Sequence, residues 1–153
     1  MSPAPSVLII IGSKSDAQVA ETATKALGEL GISCRTVVAS AHRTPDYLKE
    51  TVLKSDADVF IAIAGLSAAL PGAIASYTTR PVIGVPVSGK VNLDSILSMV
   101  QMPPGVPVAA VGLDNGTNAA ILAAEMLSLK DPSITKRLEE MRARKRKEIE
   151  SMA

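Results

Sequence analysis

The chain has 153 residues, of which 47% are hydrophobic and only three are aromatic, and its formal net charge is +1. This length is typical of one domain with a sizeable core, so we expect residues 1–153 to form a single domain. A charge so close to zero gives no electrostatic reason to bind nucleic acid or a membrane, and three aromatic rings are too few for a surface that stacks on bases.

Cysteine content and hydropathy narrow the protein class further. The single cysteine, Cys34, excludes an internal disulfide and a cysteine metal cluster, and we interpret it as a small buried apolar residue on a strand. No basic segment precedes an apolar run at the N-terminus. No apolar run reaches the roughly 18 residues of a membrane-spanning helix. We therefore expect a soluble protein of the cytoplasm.

In the first third of the chain, apolar runs alternate with segments of helical periodicity. VLIII at 7–11 is continuously apolar and ends in Gly-Ser, which predicts a buried strand. Apolar residues recur at helical spacing over 17–30, and a second strand is predicted at 34–39. The sequence TPD at 44–46 predicts a helix start, with threonine as N-cap, proline at the first position and an acid in the first turn.

The same alternation continues to the C-terminus. Apolar runs bounded by Gly and Pro predict strands, and the segments between them predict helices. In chain order these are a strand at 58–65, a short Ala-rich helix after Pro71-Gly72, a strand at 81–87, a helix near 93–101, a strand at 106–112, a helix at 117–129 and a charged C-terminal helix at 133–153. The helix at 117–129 is apolar almost all round, which predicts burial that extends partly against another subunit.

Five strands that alternate with helices predict an α/β fold. The expected architecture has three layers, with a doubly wound five-stranded parallel sheet in the flavodoxin-like order 2-1-3-4-5 and a C-terminal helix. Residues 136–150 of that helix carry seven Lys/Arg and four Asp/Glu. Because acids are interspersed and aromatics are absent, we interpret this segment as a solvated helix face and expect no nucleic-acid partner.

The sheet order predicts where a ligand would bind. Ligands of open α/β sheets bind beyond the carboxyl ends of the strands, where the strand order reverses. The loops that follow strands 1, 2 and 3 meet there: GSKSD at 12–16, SAHRTP at 40–45 and GLSAALPG at 65–72. The second loop holds His42, the only histidine of the chain. A lone histidine is more often structural or exposed, but its convergence with the other two loops favours a role in chemistry.

The polar groups of these loops are typical of a site for a phosphorylated ligand. Free N–H groups at the helix start, together with the hydroxyls of Ser13 and Ser15, would form a cup for an anion. Asp16 would repel an anion and fits a ribose hydroxyl better, whereas Arg43 could clamp a phosphate. The simpler alternatives are N-capping by the serines, a first-turn acid at Asp16 and a solvated charge at Arg43. Neither a Walker A loop nor GxGxxG is present.

Other kinds of catalytic site are not favoured. One His, one Cys and no carboxylate cluster make metal ligation unexpected. A triad of Ser13 or Ser40 with His42 and Asp16 is conceivable, but no GxSxG elbow occurs. The third loop is small and apolar, so it would line a pocket for a neutral species or simply join a strand to a helix. The residues thus indicate a small anionic ligand and one histidine for proton transfer.

GSKSD, SAHRTP, AG…LPG and QMPPGVPVA at 101–109, in this order, resemble the motifs of a purine-biosynthesis family. The family comprises the N5-carboxyaminoimidazole ribonucleotide mutases and the aminoimidazole ribonucleotide carboxylases, and the resemblance extends from about Val7 to near Leu129. It implies transfer of a carboxyl group from the exocyclic N5 to ring carbon C4 of the imidazole. It also implies a ribonucleotide substrate, no metal, biotin or ATP in this step, and octamers with active sites between subunits.

The resemblance also implies roles for individual residues. At the matching positions, His42 would be the general acid/base, and Ser13, Asp16 and Arg43 would bind the nucleotide. The other residues that we expect to bind the substrate lie in the same three loops: Gly12, Ser15, Ser40, Ala41, Gly65, Ser67, Leu70, Pro71 and Gly72.

One position departs from the mutase pattern. Mutases resembling this chain read AGGAAHLPG in the third loop, whereas this chain reads AGLSAALPG, so Ala69 replaces a histidine. The direct carboxylases, which take free CO2, have a serine where this chain has Ser67 and a small residue at Ala69. SAHRTP and QMPPG resemble the mutase type. We therefore predict a mutase, with direct carboxylation by CO2 as the alternative and a non-catalytic nucleotide-binding module as a remoter one.

Overall fold

A computed structural model describes residues 6–152, in which strands and helices alternate. The strands are β1 (Val7–Ile11), β2 (Cys34–Val38), β3 (Val59–Ala64), β4 (Val82–Pro86) and β5 (Ala109–Ala110). The α-helices are α1 (Ala17–Glu29), α2 (Pro45–Leu53), α3 (Leu70–Tyr77), α4 (Asn92–Val100), α5 (Gly116–Ser128) and α6 (Pro132–Glu150). A 3-10 turn at Lys14–Asp16 precedes α1. Residues 1–5 of the predicted domain, and residue 153 of the predicted C-terminal helix, lie outside the described residues.

The strands form one parallel sheet in the order β2-β1-β3-β4-β5, which confirms the predicted topology. All residues of β1, β3 and β4 are buried, as expected for apolar strands covered on both faces. Alternate strand residues face two separate cores. Val7, Ile9 and Ile61 pack with α1, α5 and α6, whereas Leu8 and Phe60 pack with α2, α3 and α4. The molecule therefore has the three predicted layers.

Strand β2 lies at an edge of the sheet and is much more exposed than the central strands. Cys34 begins this strand and is half-buried, where the sequence predicted a buried residue. Partial burial nevertheless raises the pKa of the Cys34 thiol above its ordinary value. A hydrogen bond with Thr24 lowers this pKa, but by less. A raised pKa disfavours the thiolate, so the packing role predicted for Cys34 agrees with its surroundings.

Two predicted boundaries were wrong. The strand predicted at 106–112 is only Ala109–Ala110, paired with Ile83 and Gly84. Pro107 has no N–H to donate to a sheet ladder, so an apolar run alone did not make a strand here. The helix expected after Pro71-Gly72 begins earlier, at Leu70. Proline is tolerated in the first helical turn because the N–H it lacks has no partner there, so Pro71-Gly72 is part of the helix and not a turn before it.

Helices α1 and α5 approach each other closely through small residues. Gly116 begins α5, and a Cβ at this position would lie 2.3 Å from the backbone oxygen of Val19 and 3.2 Å from the nitrogen of Ala23. The buried residues of α5 are otherwise alanines, namely Ala119, Ala120, Ala123 and Ala124. Larger apolar residues of α5, Ile121, Leu122, Met126 and Leu127, are only partly buried against the core. Within the subunit, α5 is thus fully buried on one face only.

Helix α6 packs against the domain with its first half. Ile134, Leu138 and Met141 are buried, and residues 142–150 are exposed. Arg142 pairs with Glu125 of α5 at 2.6 Å, where the Arg142 side chain is largely in solvent and the Glu125 side chain is half-buried. This agrees with the interpretation of the charged segment as a solvated helix face. None of the helices within residues 6–152 is long and apolar enough to cross a membrane.

Candidate active site

The sheet brings three loops together because its first three strands end at nearly the same level. Ile11 at the end of β1 is in register with Val38 at the end of β2 and with Ile63 near the end of β3. The loops are tied to neighbouring strands immediately afterwards: Gly12 N donates to Ile63 O at 3.2 Å, and Ala39 N donates to Ile11 O at 3.0 Å. The first turns of the three loops therefore surround one point at the carboxyl edge of the sheet.

A cavity of about 380 Å³ opens at this point, a volume typical of small-molecule sites. Eleven predicted site residues line it: Gly12, Ser13, Ser15, Asp16, Ser40, Ala41, His42, Arg43, Gly65, Ser67 and Leu70. Ala64, Leu66 and Ala69 also line it, although the sequence did not predict binding by them. Their position in the third loop and at the end of its strand was the available signal. The convergence of the three loops is thus present, and the roles of the individual residues stay predictions.

The structure does not bring two predicted site residues, Pro71 and Gly72, to this cavity. Pro71 is buried in the first turn of α3, where its ring lies near Gly84 of β4. Gly72 faces Met102, so closely that a Cβ would lie 3.2 Å from the Met102 methyl carbon. Both residues pack α3 against its neighbours, which is a sufficient reason for their small or rigid side chains.

The first loop combines a capping serine with a buried carboxylate. Ser13 caps the 3-10 turn, and its Oγ accepts from Ser15 N at 3.4 Å. Asp16 occupies the N-cap position of α1 but makes no side-chain capping bond. Its side chain lines the cavity, and the residue is only 7% exposed. The capping alternative therefore holds for Ser13, whereas the Asp16 carboxylate is left to face the cavity.

Burial raises the pKa of the Asp16 carboxyl above its ordinary value. Three smaller influences act in the opposite direction: hydrogen bonds from the Ser15 side chain and the Ser13 backbone, and the positive charge of Arg43. Because burial outweighs these three influences, the charged form of Asp16 lowers the stability of the folded protein. A protein tolerates this loss of stability where the carboxylate binds a ligand.

We expect Asp16→Asn to make the ligand-free protein more stable at pH 7, because the variant removes a buried charge while keeping the side-chain shape. The gain in stability should reach its full value above the raised pKa that Asp16 has in the folded protein. It should vanish as the pH falls below about 4, where an aspartate is neutral in the unfolded chain as well. Urea unfolding of both proteins at a series of pH values measures it. Asp56→Asn, at an exposed acid outside the helices and strands, is the control, and equal stability of the two variants at pH 7 would contradict the expectation.

The second loop is closed by Thr44. The threonine occupies the predicted N-cap position of α2, but its side chain makes no capping bond. Instead Ser40 N donates to Thr44 Oγ1 at 2.9 Å, and Thr44 Oγ1 donates to Ser40 O at 3.2 Å. Pro45 follows at the first position of α2, where its ring fixes the direction of the helix. This closed turn fixes residues 41–43 at the cavity.

Arg43 connects the first two loops. Its Nη2 donates to the backbone oxygen of Gly12 at 2.8 Å, and its Nε donates to Ser40 Oγ at 3.4 Å. The guanidinium lines the cavity and is exposed, so its remaining N–H groups are available to an anion. Arg43 is therefore more than the solvated charge that the sequence left open as an alternative.

Replacing Arg43 by Ala should weaken binding of a nucleotide monophosphate about tenfold or more, because a charge-assisted arginine–phosphate pair contributes roughly 1.5–3 kcal/mol. Arg43→Lys should recover only part of this affinity, since an ammonium cannot make two parallel hydrogen bonds. Isothermal calorimetry measures both. Arg35→Ala removes an equal charge from β2 outside the cavity and serves as the control. Affinity that is the same in all variants would place the phosphate elsewhere.

His42 is exposed at the rim of the cavity, beside Arg43. Among the hydrogen bonds of residues 6–152, none involves its imidazole, so either ring nitrogen can reach a ligand. Imidazole is the side chain best suited to give and take a proton near neutral pH. Within the same part of the chain, no group of three or more His, Cys, Asp or Glu residues is arranged to hold a metal ion.

The third loop takes an unusual backbone conformation. Ser67 has φ +50°, in the left-handed region that disfavours residues other than glycine. Its N–H donates to Asp94 Oδ2 of α4 at 2.5 Å. Leu66 beside it is 78% exposed at the cavity, whereas Ala68 is buried beneath. Sequence reasoning missed Asp94, because only the folded chain brings it to a residue 27 positions earlier.

Comparisons with known proteins agree on one family. The family model described as AIR carboxylase matches residues 6–148. A protein of Methanocaldococcus jannaschii named N5-carboxyaminoimidazole ribonucleotide mutase is 57% identical over 94% of this chain and 92% of its own length. A Pyrococcus abyssi protein of the same name is 49% identical over 90% of this chain and 82% of its own length. The crystal structure of Treponema denticola PurE superposes with a TM-score of 0.85, at 31% identity over 94% of each chain. The chain belongs to the AIR carboxylase family.

Proposed function

We propose that this protein is an N5-carboxyaminoimidazole ribonucleotide mutase of de novo purine biosynthesis. Its product would be 4-carboxy-5-aminoimidazole ribonucleotide. The observation that carries the proposal is the cavity in which the only histidine lies with Asp16 and Arg43, in a chain 57% identical to a protein named for this reaction. The arrangement supplies what the reaction needs: an anion site, an acceptor for a ribose hydroxyl and one group that carries a proton.

Binding of the nucleotide follows from the polar side of the cavity. The phosphate is held by the free N–H groups of Arg43 and by the hydroxyls of Ser13 and Ser15. The Asp16 carboxylate accepts a hydrogen bond from the ribose, which offsets part of the cost of its burial. These contacts place the imidazole of the nucleotide next to His42 without using the groups that move protons.

The carboxyl transfer requires one proton to be given and one to be taken. The His42 imidazolium donates a proton to N5, the N5–carboxyl bond breaks, and CO2 is released with aminoimidazole ribonucleotide. C4 of this electron-rich ring then attacks CO2 and forms the new carbon–carbon bond. Neutral His42 removes the C4 proton, which restores the aromatic ring and regenerates the imidazolium. One residue in two protonation states thus completes the cycle.

The apolar side of the cavity suits the intermediate. Ala64, Gly65, Leu66 and Ala69 present small or apolar surfaces there. CO2 carries no net charge and is a weak hydrogen-bond acceptor, so apolar walls hold it without competing for it. The same apolar walls offer water no hydrogen bond beside the released CO2 and the reacting ring.

Ala69 and Ser67 keep direct carboxylation as the second candidate function. A carbon-tracing experiment separates the two: the enzyme is given N5-carboxyaminoimidazole ribonucleotide in CO2-depleted buffer that contains a trace of labelled bicarbonate. Product that retains the carboxyl carbon of the substrate supports the mutase. Product that forms only when CO2 is raised, with the label fully incorporated, would establish direct carboxylation. Nucleotide binding with no product from either substrate would establish a non-catalytic module.

The proposal includes assembly of the enzyme as a homo-oligomer, with the octamer that the family resemblance implies. Support comes from exposed apolar residues at i, i+4 and i+7 of α4, namely Leu93, Leu97 and Val100, and from the half-exposed apolar residues of α5. Exposed apolar surfaces of this kind are typical of interfaces between subunits. Light scattering at micromolar concentration tests it, and a monomer would refute it.

We place the reaction in the cytoplasm, because its substrate is a water-soluble ribonucleotide. The proposed partners are this nucleotide, CO2 and further copies of the chain. The charged part of α6 has acids among its basic residues, which argues against a nucleic-acid partner. Salt-dependent binding to duplex DNA would contradict this part of the proposal, and binding to lipid vesicles would contradict the absence of a membrane partner.

A further inference from the structure

The cavity wall formed by Leu66, Ser67 and Ala69 is held by a contact from outside the third loop. Ser67 has a left-handed backbone, which a residue with a Cβ adopts only when its surroundings stabilise it. Within the loop, Ala69 N donates to Ser67 O at 2.6 Å. The Ser67 N–H points the other way, to the carboxylate of Asp94 at 2.5 Å. A charged acceptor makes a stronger hydrogen bond than a neutral one, so Asp94 is well suited to stabilise this backbone.

Asp94 is free for this contact because another residue organises the start of α4. Asp94 is the third residue of the helix, where an acid often bonds back to the helix terminus. Here Asn92 Oδ1 accepts from Gly89 N at 2.9 Å and orders the turn before the helix. The Asp94 side chain reaches across to Ser67 instead. The two residues thus have separate tasks on the same helical turn.

Helix α4 is a rigid support for Asp94. Ser95 is 1% exposed, and its Oγ bonds to Val87 O, just after β4, at 3.3 Å. Met99 is fully buried, with its sulfur next to Gly84 of β4. The position of the Asp94 carboxylate is therefore set by the central sheet. Loss of the carboxylate would free the third loop while leaving α4 in place.

We propose that Asp94 is a positioning residue that holds Leu66 and Ala69 in place as one wall of the cavity and thereby helps to retain CO2 between its release and its capture. This inference rests on the proposed mutase function. The Asp94 side chain bonds to the third loop and not to the first two, which are proposed to hold the phosphate, the ribose and His42, so its removal should act on the intermediate more than on nucleotide binding. The step affected is the fate of the released CO2. Attack by C4 on CO2 competes with escape of CO2 to the solvent, and displacement of Leu66 and Ala69 favours escape.

The test compares Asp94→Ala, Asp94→Asn and the control Asn92→Ala with the wild type. Each protein receives N5-carboxyaminoimidazole ribonucleotide labelled at the carboxyl carbon. For Asp94→Ala we expect kcat to fall about tenfold, KM to stay within about twofold, and most of the labelled carbon to appear in the buffer with free aminoimidazole ribonucleotide. Asp94→Asn keeps an acceptor oxygen in place and should restore retention of the carbon. Asn92→Ala should behave as the wild type.

A second measurement does not depend on catalysis. Hydrogen–deuterium exchange of the ligand-free proteins should show that the Ser67 amide loses protection in Asp94→Ala and keeps it in Asn92→Ala. Should the alanine variant lose thermal stability, Asp94→Ser, whose side chain is too short to reach Ser67, replaces it in both assays. Carbon retention equal to that of the control would overturn the inference, as would an unchanged Ser67 amide. A wild-type protein without mutase activity would instead overturn the proposed function, and with it the role in retaining CO2.

Discussion

His42→Asn should reduce turnover by about 10²–10⁴-fold, the range typical of losing a general acid/base. The reason is that His42 is the only histidine of the chain and lines the cavity, and asparagine has a similar reach but cannot carry a proton between N5 and C4. Steady-state formation of 4-carboxy-5-aminoimidazole ribonucleotide measures the loss. Affinity for the nucleotide should be nearly unchanged, since we propose that other residues make the phosphate and ribose contacts.

The two measurements together separate a chemical role from a binding role. In Arg43→Ala the affinity should fall while the bound substrate is still converted, whereas in His42→Asn the substrate should bind and persist. Because the His42 side chain is exposed, added imidazole should restore part of the activity of a His42→Ala variant. Activity of His42→Asn within a few-fold of the wild type would refute the assignment of the general acid/base.

Gly116→Ala should lower the free energy of unfolding by about 2–4 kcal/mol, at the upper end of the cost of overpacking. The new Cβ would lie 2.3 Å from Val19 O and 2.5 Å from Thr22 Oγ1. The Val19 oxygen is helix backbone and cannot rotate away, so α1 and α5 would have to separate. Urea unfolding followed by circular dichroism measures the change.

Gly28→Ala is the matched control, because it makes the same substitution in α1 where the added Cβ meets nothing within 4 Å. Alanine is the better helix former, so this variant should gain about 0.5–1 kcal/mol. The two substitutions should thus change stability in opposite directions. A Gly116→Ala protein at least as stable as the wild type would show that the two helices can move apart at little cost.

The strand order and the place of the site could be predicted because each rests on a strong physical constraint. Continuous apolar runs such as VLIII at 7–11 are stable only when both faces are covered, which requires a parallel sheet between helices. A five-stranded sheet of this type brings its first three loops together whatever their sequence. The sequence alone therefore predicts that the lone histidine at 42 lies near Asp16.

The errors concern features that depend on which partner a polar group finds in the folded chain. The run at 106–112 has strand composition, but only two of its residues pair, because pairing depends on backbone donors that Pro107 lacks. Likewise, threonine is typical of helix N-caps, yet the hydroxyl of Thr44 closes a turn with Ser40. No local pattern distinguishes these uses. The bond between Asp94 and Ser67 is hidden for the same reason, since an acid in a first helical turn is ordinary.

The exposure of His42 allows the proposed active sites of this protein to be counted. A histidine-specific acylating reagent has one imidazole per chain to modify, and that imidazole lies at the rim of the cavity. The absorbance of the acylated ring then reports the fraction of chains with an accessible site, and bound nucleotide should slow the reaction. Rates of different preparations and variants can thus be expressed per functional site, in an assembly of any size, without a tight-binding inhibitor.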